Sequence, residues 1–207
     1  MRIKLLPFAV LVLLMNIAIA AHAQRNDVSA TIGRTFISDQ GVVGSNLPDN
    51  NIHFGNGLSF EVNYGRSLWD AEAFAVVVEI PAIFDPNQRL HFGGFDTPSS
   101  FTSFFVTPSA RLLFFPKTSV SPWVSIGGGF AHFSMSSRLE SGQPNPNGST
   151  TTGAFQIGAG LDVRITHSVY LRGDVRELRS GEPALNVNTG KSRYYNLYAG
   201  GGLSFRF

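Results

Sequence analysis

His132-Phe133-Ser134 sets an imidazole and a hydroxyl two residues apart. On a strand, residues i and i+2 share a face. Such a pair activates the hydroxyl as a nucleophile when a carboxylate orients the imidazole, and Glu140 is the nearest carboxylate in sequence. The competing reading is a polar strand end entering a loop, and on it no catalytic residue is assigned. A second set of chemistry-bearing residues is larger: Glu61, Glu79, Arg111, Asp162, Arg164, Arg172, Asp174, Arg176 and Arg206 all fall inside apolar-patterned stretches. Side chains of both signs in such positions are suited to ion pairing rather than to a dry core. The five histidines (His22, His53, His91, His132, His167) are scattered without metal-ligand spacing, so neither a metal nor a cofactor is expected. Gly127-Gly128-Gly129 and Gly200-Gly201-Gly202 do not lie between a strand and a helix, which argues against phosphate loops. Room beside bulky neighbours such as Trp123 and Tyr198 explains them better. Asn147-Gly148-Ser149 fits a glycosylation pattern that is common by chance in Gly/Asn/Ser loops.

The elements carrying these residues are strands. In Phe155–Ile165 the odd positions are Phe, Ile, Ala, Leu, Val and Ile, and the even positions are Gln156, Gly158, Gly160, Asp162 and Arg164. Period two means a strand with one apolar face. The closing stretch repeats the pattern: Tyr195, Leu197, Ala199, Gly201, Leu203, Phe205 and Phe207 share one face. The same reading predicts eight strands, at 28–36, 57–64, 71–83, 102–114, 122–134, 153–165, 169–178 and 194–207. The connections alternate between long and short, at 20, 6, 18, 7, 18, 3 and 15 residues. An up-and-down barrel has this alternation when one end carries tight turns and the other long loops. If Ile165 and Val169 flank the three-residue turn as partners, their numbers sum to 334. Asp162 then faces Arg172, and Gly160 faces Asp174.

Three features decide which face points outward. Several strands reach the ~9–11 residues that cross a bilayer at a tilt. Mid-strand charges occupy the face opposite the apolar one, where a polar lumen would hold them. Aromatic residues recur near strand ends on the apolar face: Phe36, Tyr64, Phe104, Phe114, Phe130, Phe155, Tyr195 and Phe205. Interfacial girdles sit there. Arg34 falls on this apolar face, so it snorkels at the rim or Gly33 marks a bulge that shifts the register. An eight-stranded barrel is barely wide enough for its own side chains, which favours an ion-paired plug over a narrow ion path.

Composition agrees. The chain has 207 residues, 22 Gly, 18 Phe, no Cys and only 14% charged residues. Arg2 and Lys4 precede an apolar run, Leu5–Ala20, and then Ala21-His22-Ala23. This is the three-part pattern of a cleaved signal peptide over 1–23, leaving 24–207 as the barrel. The run is short of the ~20 residues of a spanning helix. Of the 16 basic residues, removing Arg2 and Lys4 leaves 14 against 14 acidic, a balance unsuited to nucleic-acid binding.

The signal peptide, the strand pattern and the closing Tyr194-Tyr-Asn-Leu-Tyr-Ala-Gly-Gly-Gly-Leu-Ser-Phe-Arg-Phe207 resemble the outer-membrane β-barrel domain family, similar to the eight-stranded OmpA and OmpX type. The resemblance implies an all-β, antiparallel up-and-down transmembrane barrel in a Gram-negative outer membrane. It implies contact with membrane lipid and lipopolysaccharide. It also implies a C-terminal signal for the barrel-assembly machinery, carried here by Tyr195, Leu203, Phe205 and Phe207. The family includes adhesins and tethers, so the expected role is structural or surface interaction through the long loops, by a non-enzymatic monomer. A porin-like channel for ions or small solutes is the alternative. The His-x-Ser at 132–134 is similar, over two residues, to that of outer-membrane lipid A deacylases. The following Met135-Ser136-Ser137-Arg138 departs from their continuation.

Overall fold

The computed structural model describes residues 26–38, 40–41, 51–55, 57–91, 100–139, 141–146, 148–181 and 193–207. The expected signal peptide at 1–23, Glu140 and Asn147 lie outside them. The described residues form strands and no helix: β1 (Asn26–Ile37), β2 (Gln40–Gly41), β3 (Asn51–Phe54), β4 (Leu58–Asp70), β5 (Phe74–His91), β6 (Ser100–Val106), β7 (Ser109–Phe114), β8 (Val120–Met135), β9 (Ser149–Arg164), β10 (Val169–Ser180) and β11 (Tyr194–Arg206). β6 and β7 are two halves of one wall strand, both pairing with β5 and β8. The wall therefore has eight antiparallel strands, and β1 pairs β11 to close it. Closure leaves no wall strand with an unpaired edge.

The break between β6 and β7 has a local cause. Thr107-Pro108 interrupts the wall strand where Pro81 stands in β5, between the Ala82–Val106 and Glu79–Ser109 pairs. Proline has no N–H to give a ladder. Two prolines at one height therefore spoil the same rung from both sides, and a single bond from the Thr107 N–H to the Pro81 carbonyl (3.2 Å) bridges the gap.

Three tight connections lie at one end: 71–73, 115–119 and 165–168. The first differs from expectation. The sequence predicts a turn after Tyr64, but β4 runs on to Asp70 and a bulge between Ser67 and Trp69 absorbs one residue. Leu68 and Trp69 are consecutive and both exposed, which breaks the alternation there. At the other end, β5 continues to His91, a strand of 18 residues and about 60 Å at ~3.3 Å per residue. β3 pairs with its far end. The first long connection thus carries sheet above the wall rather than only loop.

Side-chain direction is inverted relative to a water-soluble barrel. Along β1, Val28, Ala30, Ile32 and Phe36 are exposed, whereas Asp27, Ser29, Thr31 and Thr35 are buried. The same holds around the wall: Val62, Ile80, Val124, Ile157, Leu171, Val175 and Leu203 face out. The interior has two layers. The layer nearer the short turns is ionic. The layer nearer the long connections is apolar, with Ile52, Ile83, Phe101, Phe105, Phe133, Met135 and Leu178 buried together. The sequence reading places the interior charges but not this apolar layer. Phe105 and Phe133 hold inward parity in their strands, but their outward neighbours Phe104 and His132 hide that parity in the sequence pattern.

Gly160 shows how tightly the ionic layer is filled. A Cβ there would overlap both the Trp123 indole and the Gly173 carbonyl oxygen. Gly200 likewise leaves room for the Tyr198 hydroxyl. Gly127 and Gly129 instead lie against the backbone at Pro108 and Val106, so close approach rather than Trp123 explains these two. Gly160→Ala is expected to lower stability by about 1–3 kcal/mol, the usual cost of overpacking. The urea midpoint of the refolded barrel measures this.

Candidate functional site

The ionic layer is built by the period-two alternation of seven strands, β1, β4, β5, β7, β9, β10 and β11. β10 contributes Arg172, Asp174 and Arg176 on one face, and β9 places Asp162 directly opposite Arg172. Arg172 donates from Nε to Asp162 Oδ1 and from Nη2 to Oδ2, each at 2.8 Å, and from Nη1 to Ser29 Oγ at 2.9 Å. This two-pronged geometry is the strong form of an arginine–carboxylate pair. Arg206 also donates to Asp162 Oδ2.

Arg176 is the hub. Its Nη1 donates to Glu79 Oε1 at 2.9 Å, and its Nη2 lies 3.1 Å from Glu61 Oε1. Its Nε and Nη2 reach Asp174 Oδ2 at 3.1 and 3.0 Å. Glu79 is further held by Arg111 Nη1 at 3.1 Å and by the Asn63 amide at 2.8 Å. Arg111 also donates to Asp27. The Trp123 ring lies beneath three guanidinium groups, 5.8, 5.7 and 5.2 Å from Arg111, Arg172 and Arg176. The negative face of the indole attracts each of them. Among the described residues the layer joins five carboxylates (Asp27, Glu61, Glu79, Asp162, Asp174) to four arginines.

Eight of the nine charged residues singled out by sequence meet here. Arg164 does not. It has inward parity but ends β9, and there its side chain is exposed at the short-turn rim. Asp27 is not among the nine, although its parity matches Ser29 and Thr31, because the sequence pattern starts that strand one residue later. Asp85 escapes the sequence reading for the mirror reason: β5 continues past its expected end at 83. It accepts hydrogen bonds from Thr35 (2.9 Å) and Ser103 (2.8 Å) beside the apolar layer. In that layer Phe133 is ringed by Phe101, Phe105 and Tyr194, with centroids 6.2, 5.8 and 6.3 Å away. Between the layers Gln156 accepts from Thr107 at 2.6 Å and donates to Ser109 at 3.1 Å. Thr31 and Tyr198 share a hydroxyl–hydroxyl bond of 2.6 Å. An ionic layer and an apolar layer therefore succeed each other along the axis.

The outer surface settles other residues. His132 faces outward, half-buried, with Nδ1 2.8 Å from Thr151 Oγ1. Ser134 is exposed beside it on the same face and pairs with Ser149. Arg34 is exposed and stands opposite Leu58, the first residue of β4. The ladder to β11 is unbroken from Asp27 to Ile37, so Gly33 is not a bulge. Phe36, Tyr64, Phe130, Phe155, Tyr195 and Phe205 face out, and Phe104 and Phe114 are half-buried. Leu203 and Phe207 are exposed too, and the Phe205 and Phe207 rings stack at 5.7 Å. Among the described residues no group of three or more His, Asp or Glu side chains is placed to hold a metal ion.

No protein-family model matches this sequence, and no curated protein matches it. Solved structures do. Neisserial surface protein A is 14% identical with a TM-score of 0.54, the alignment covering 89% of this chain and 97% of that one. OprG of Pseudomonas aeruginosa is 10% identical with a TM-score of 0.56, over 89% and 96%. A major outer membrane protein of Thermus thermophilus is 14% identical with a TM-score of 0.50, over 90% and 100%. At these identities the likeness is one of fold, and the fold is that of small eight-stranded outer-membrane barrels.

Proposed function

We propose that this chain is an integral protein of a bacterial outer membrane, sealed along its axis, that works through its long-connection end as a structural or surface-contact protein and not as an enzyme. The observation that carries the reading is the inverted barrel: five carboxylates and four arginines inside, and Val, Ile, Leu and Phe outside. An ionic interior beneath an apolar exterior is costly in water and suited to hydrocarbon. On this reading residues 1–23 direct export and are removed. Lipid and lipopolysaccharide contact the belt. Tyr195, Leu203, Phe205 and Phe207 present the face that assembly machinery grips. Closure removes the strand edge through which a second copy could extend the sheet, which supports reading the barrel as a monomer.

The two packed interior layers support a sealed axis, and surface contact then falls to loops on a rigid scaffold, where binding residues commonly sit. Refolded protein in a planar bilayer is expected to give no steady conductance, with heat-modifiable gel mobility confirming that it is folded. Reproducible single-channel steps would overturn the sealed-barrel reading in favour of a narrow channel.

A further inference from the structure

The tight turns at 115–119 and 165–168 meet around a cleft of about 270 Å³. Lys117, Arg164, His167, Ser168, Tyr170 and Arg206 line it. The backbone stitches the three segments together: the Arg164 N–H donates to the Ser119 carbonyl at 2.8 Å, and the Arg206 N–H to the Ser168 carbonyl at 2.9 Å. Arg206 is fixed. Its guanidinium lies 4.0 Å from the Tyr170 ring centroid and is bonded to Asp162, which is fully buried. Lys117, Arg164 and His167 are exposed. No carboxylate side chain lines the cleft. The acidic side chains of this rim, Asp70 and Glu72, belong instead to the turn at 71–73 and the strand end before it. Phe207 also borders the cleft and is 60% exposed, with Phe205 stacked on it along the outward face.

A cationic cleft opening beside exposed phenyl rings is matched to a molecule with an anionic head and apolar tails. We propose that this cleft holds the phosphate of an anionic phospholipid, taken from the leaflet at the short-turn end, with its acyl chains laid past Phe207 and Phe205. Arg164 supplies a planar, always-charged phosphate partner and Lys117 a point charge. Lys117 and Arg164 bring positive charge that no lining carboxylate side chain offsets, which favours a headgroup of net negative charge. The site accounts for Arg164, which has inward parity yet joins none of the interior ion pairs described above.

This proposal rests on the membrane reading above, and the test separates the two. Refolded full-length barrel in zwitterionic micelles is titrated, with calorimetry as readout, against short-chain phosphatidylglycerol, short-chain phosphatidylcholine and inorganic phosphate. Saturable binding of phosphatidylglycerol is expected, weakening as salt rises. Lys117→Gln with Arg164→Gln should weaken it about tenfold or more, since each surface cation contributes ~1 kcal/mol toward anionic lipid. Arg193→Gln, at the opposite end, should leave it unchanged. Equal binding by the double variant, or equal binding of phosphatidylcholine or of inorganic phosphate, would overturn the proposal. Insertion of the wild type into lipid vesicles, read by heat-modifiable mobility, tests the membrane reading independently. The double variant should insert equally well, because both side chains are exposed.

Discussion

Arg176→Leu is expected to destabilise the barrel by about 3–5 kcal/mol, the cost of stranding buried charge when one partner of a pair is removed. Arg176 has the largest expected effect because three carboxylates converge on it: Glu61, Glu79 and Asp174. All three are buried. The layer already holds one more acid than base, so losing this arginine leaves five against three. Glu61→Gln moves the count the other way, to four against four, and should cost far less. The urea midpoint of the heat-resistant folded form, measured in vesicles, separates these outcomes. Because the pairs are buried, the difference should persist at high salt, where exposed pairs are screened. An Arg176→Leu midpoint equal to that of Glu61→Gln would show that the carboxylates do not depend on the hub.

Asp162→Ala is the second large effect, at about 3 kcal/mol or more by the same reasoning. It removes the partner of both Arg172 and Arg206. Arg172 is almost completely buried and would be left with Ser29, the Trp123 face and a distant contact to Asp27 at 4.0 Å. Arg206 lies at the rim over Tyr170 and can turn to water, which makes this loss smaller than that of Arg176. The double variant Asp162→Ala/Arg172→Leu should be less unstable than the two single effects summed. Residues in direct contact are not additive, and the double change removes both charges. Strict additivity would mean that the two-pronged pair contributes nothing as a pair.

Much of this arrangement is legible in the sequence. Alternation assigns each strand residue to a face, and a three-residue turn between Ile165 and Val169 is enough to place Asp162 opposite Arg172 and Gly160 opposite Asp174. The structure has both pairs. Local geometry accounts for this success, since a tight hairpin fixes register over the following rungs. The failures lie where alternation stops being informative. Asp27 and Asp85 sit just beyond expected strand ends. Arg164 keeps inward parity, but at a strand terminus parity no longer implies burial. The Ser67–Trp69 bulge hides the true turn at 71–73 behind two consecutive outward apolar residues. The apolar layer is hidden for a different reason. Inward Phe101, Phe105 and Phe133 come from strands whose other face carries aromatic residues too, so both faces look alike in sequence. Only the closed wall shows that three inward rings converge on one height of the axis.

The chain contains no cysteine, so single cysteines can be introduced without background. Val175→Cys on β10, labelled with an environment-sensitive fluorophore in the vesicle-inserted protein, probes the wall between the buried Asp174 and Arg176 directly. An outward apolar belt in hydrocarbon gives strong quenching by nitroxides carried on acyl chains and little by aqueous iodide. Ready quenching by iodide, with acyl-chain nitroxides ineffective, would place Val175 in water and contradict the inverted barrel.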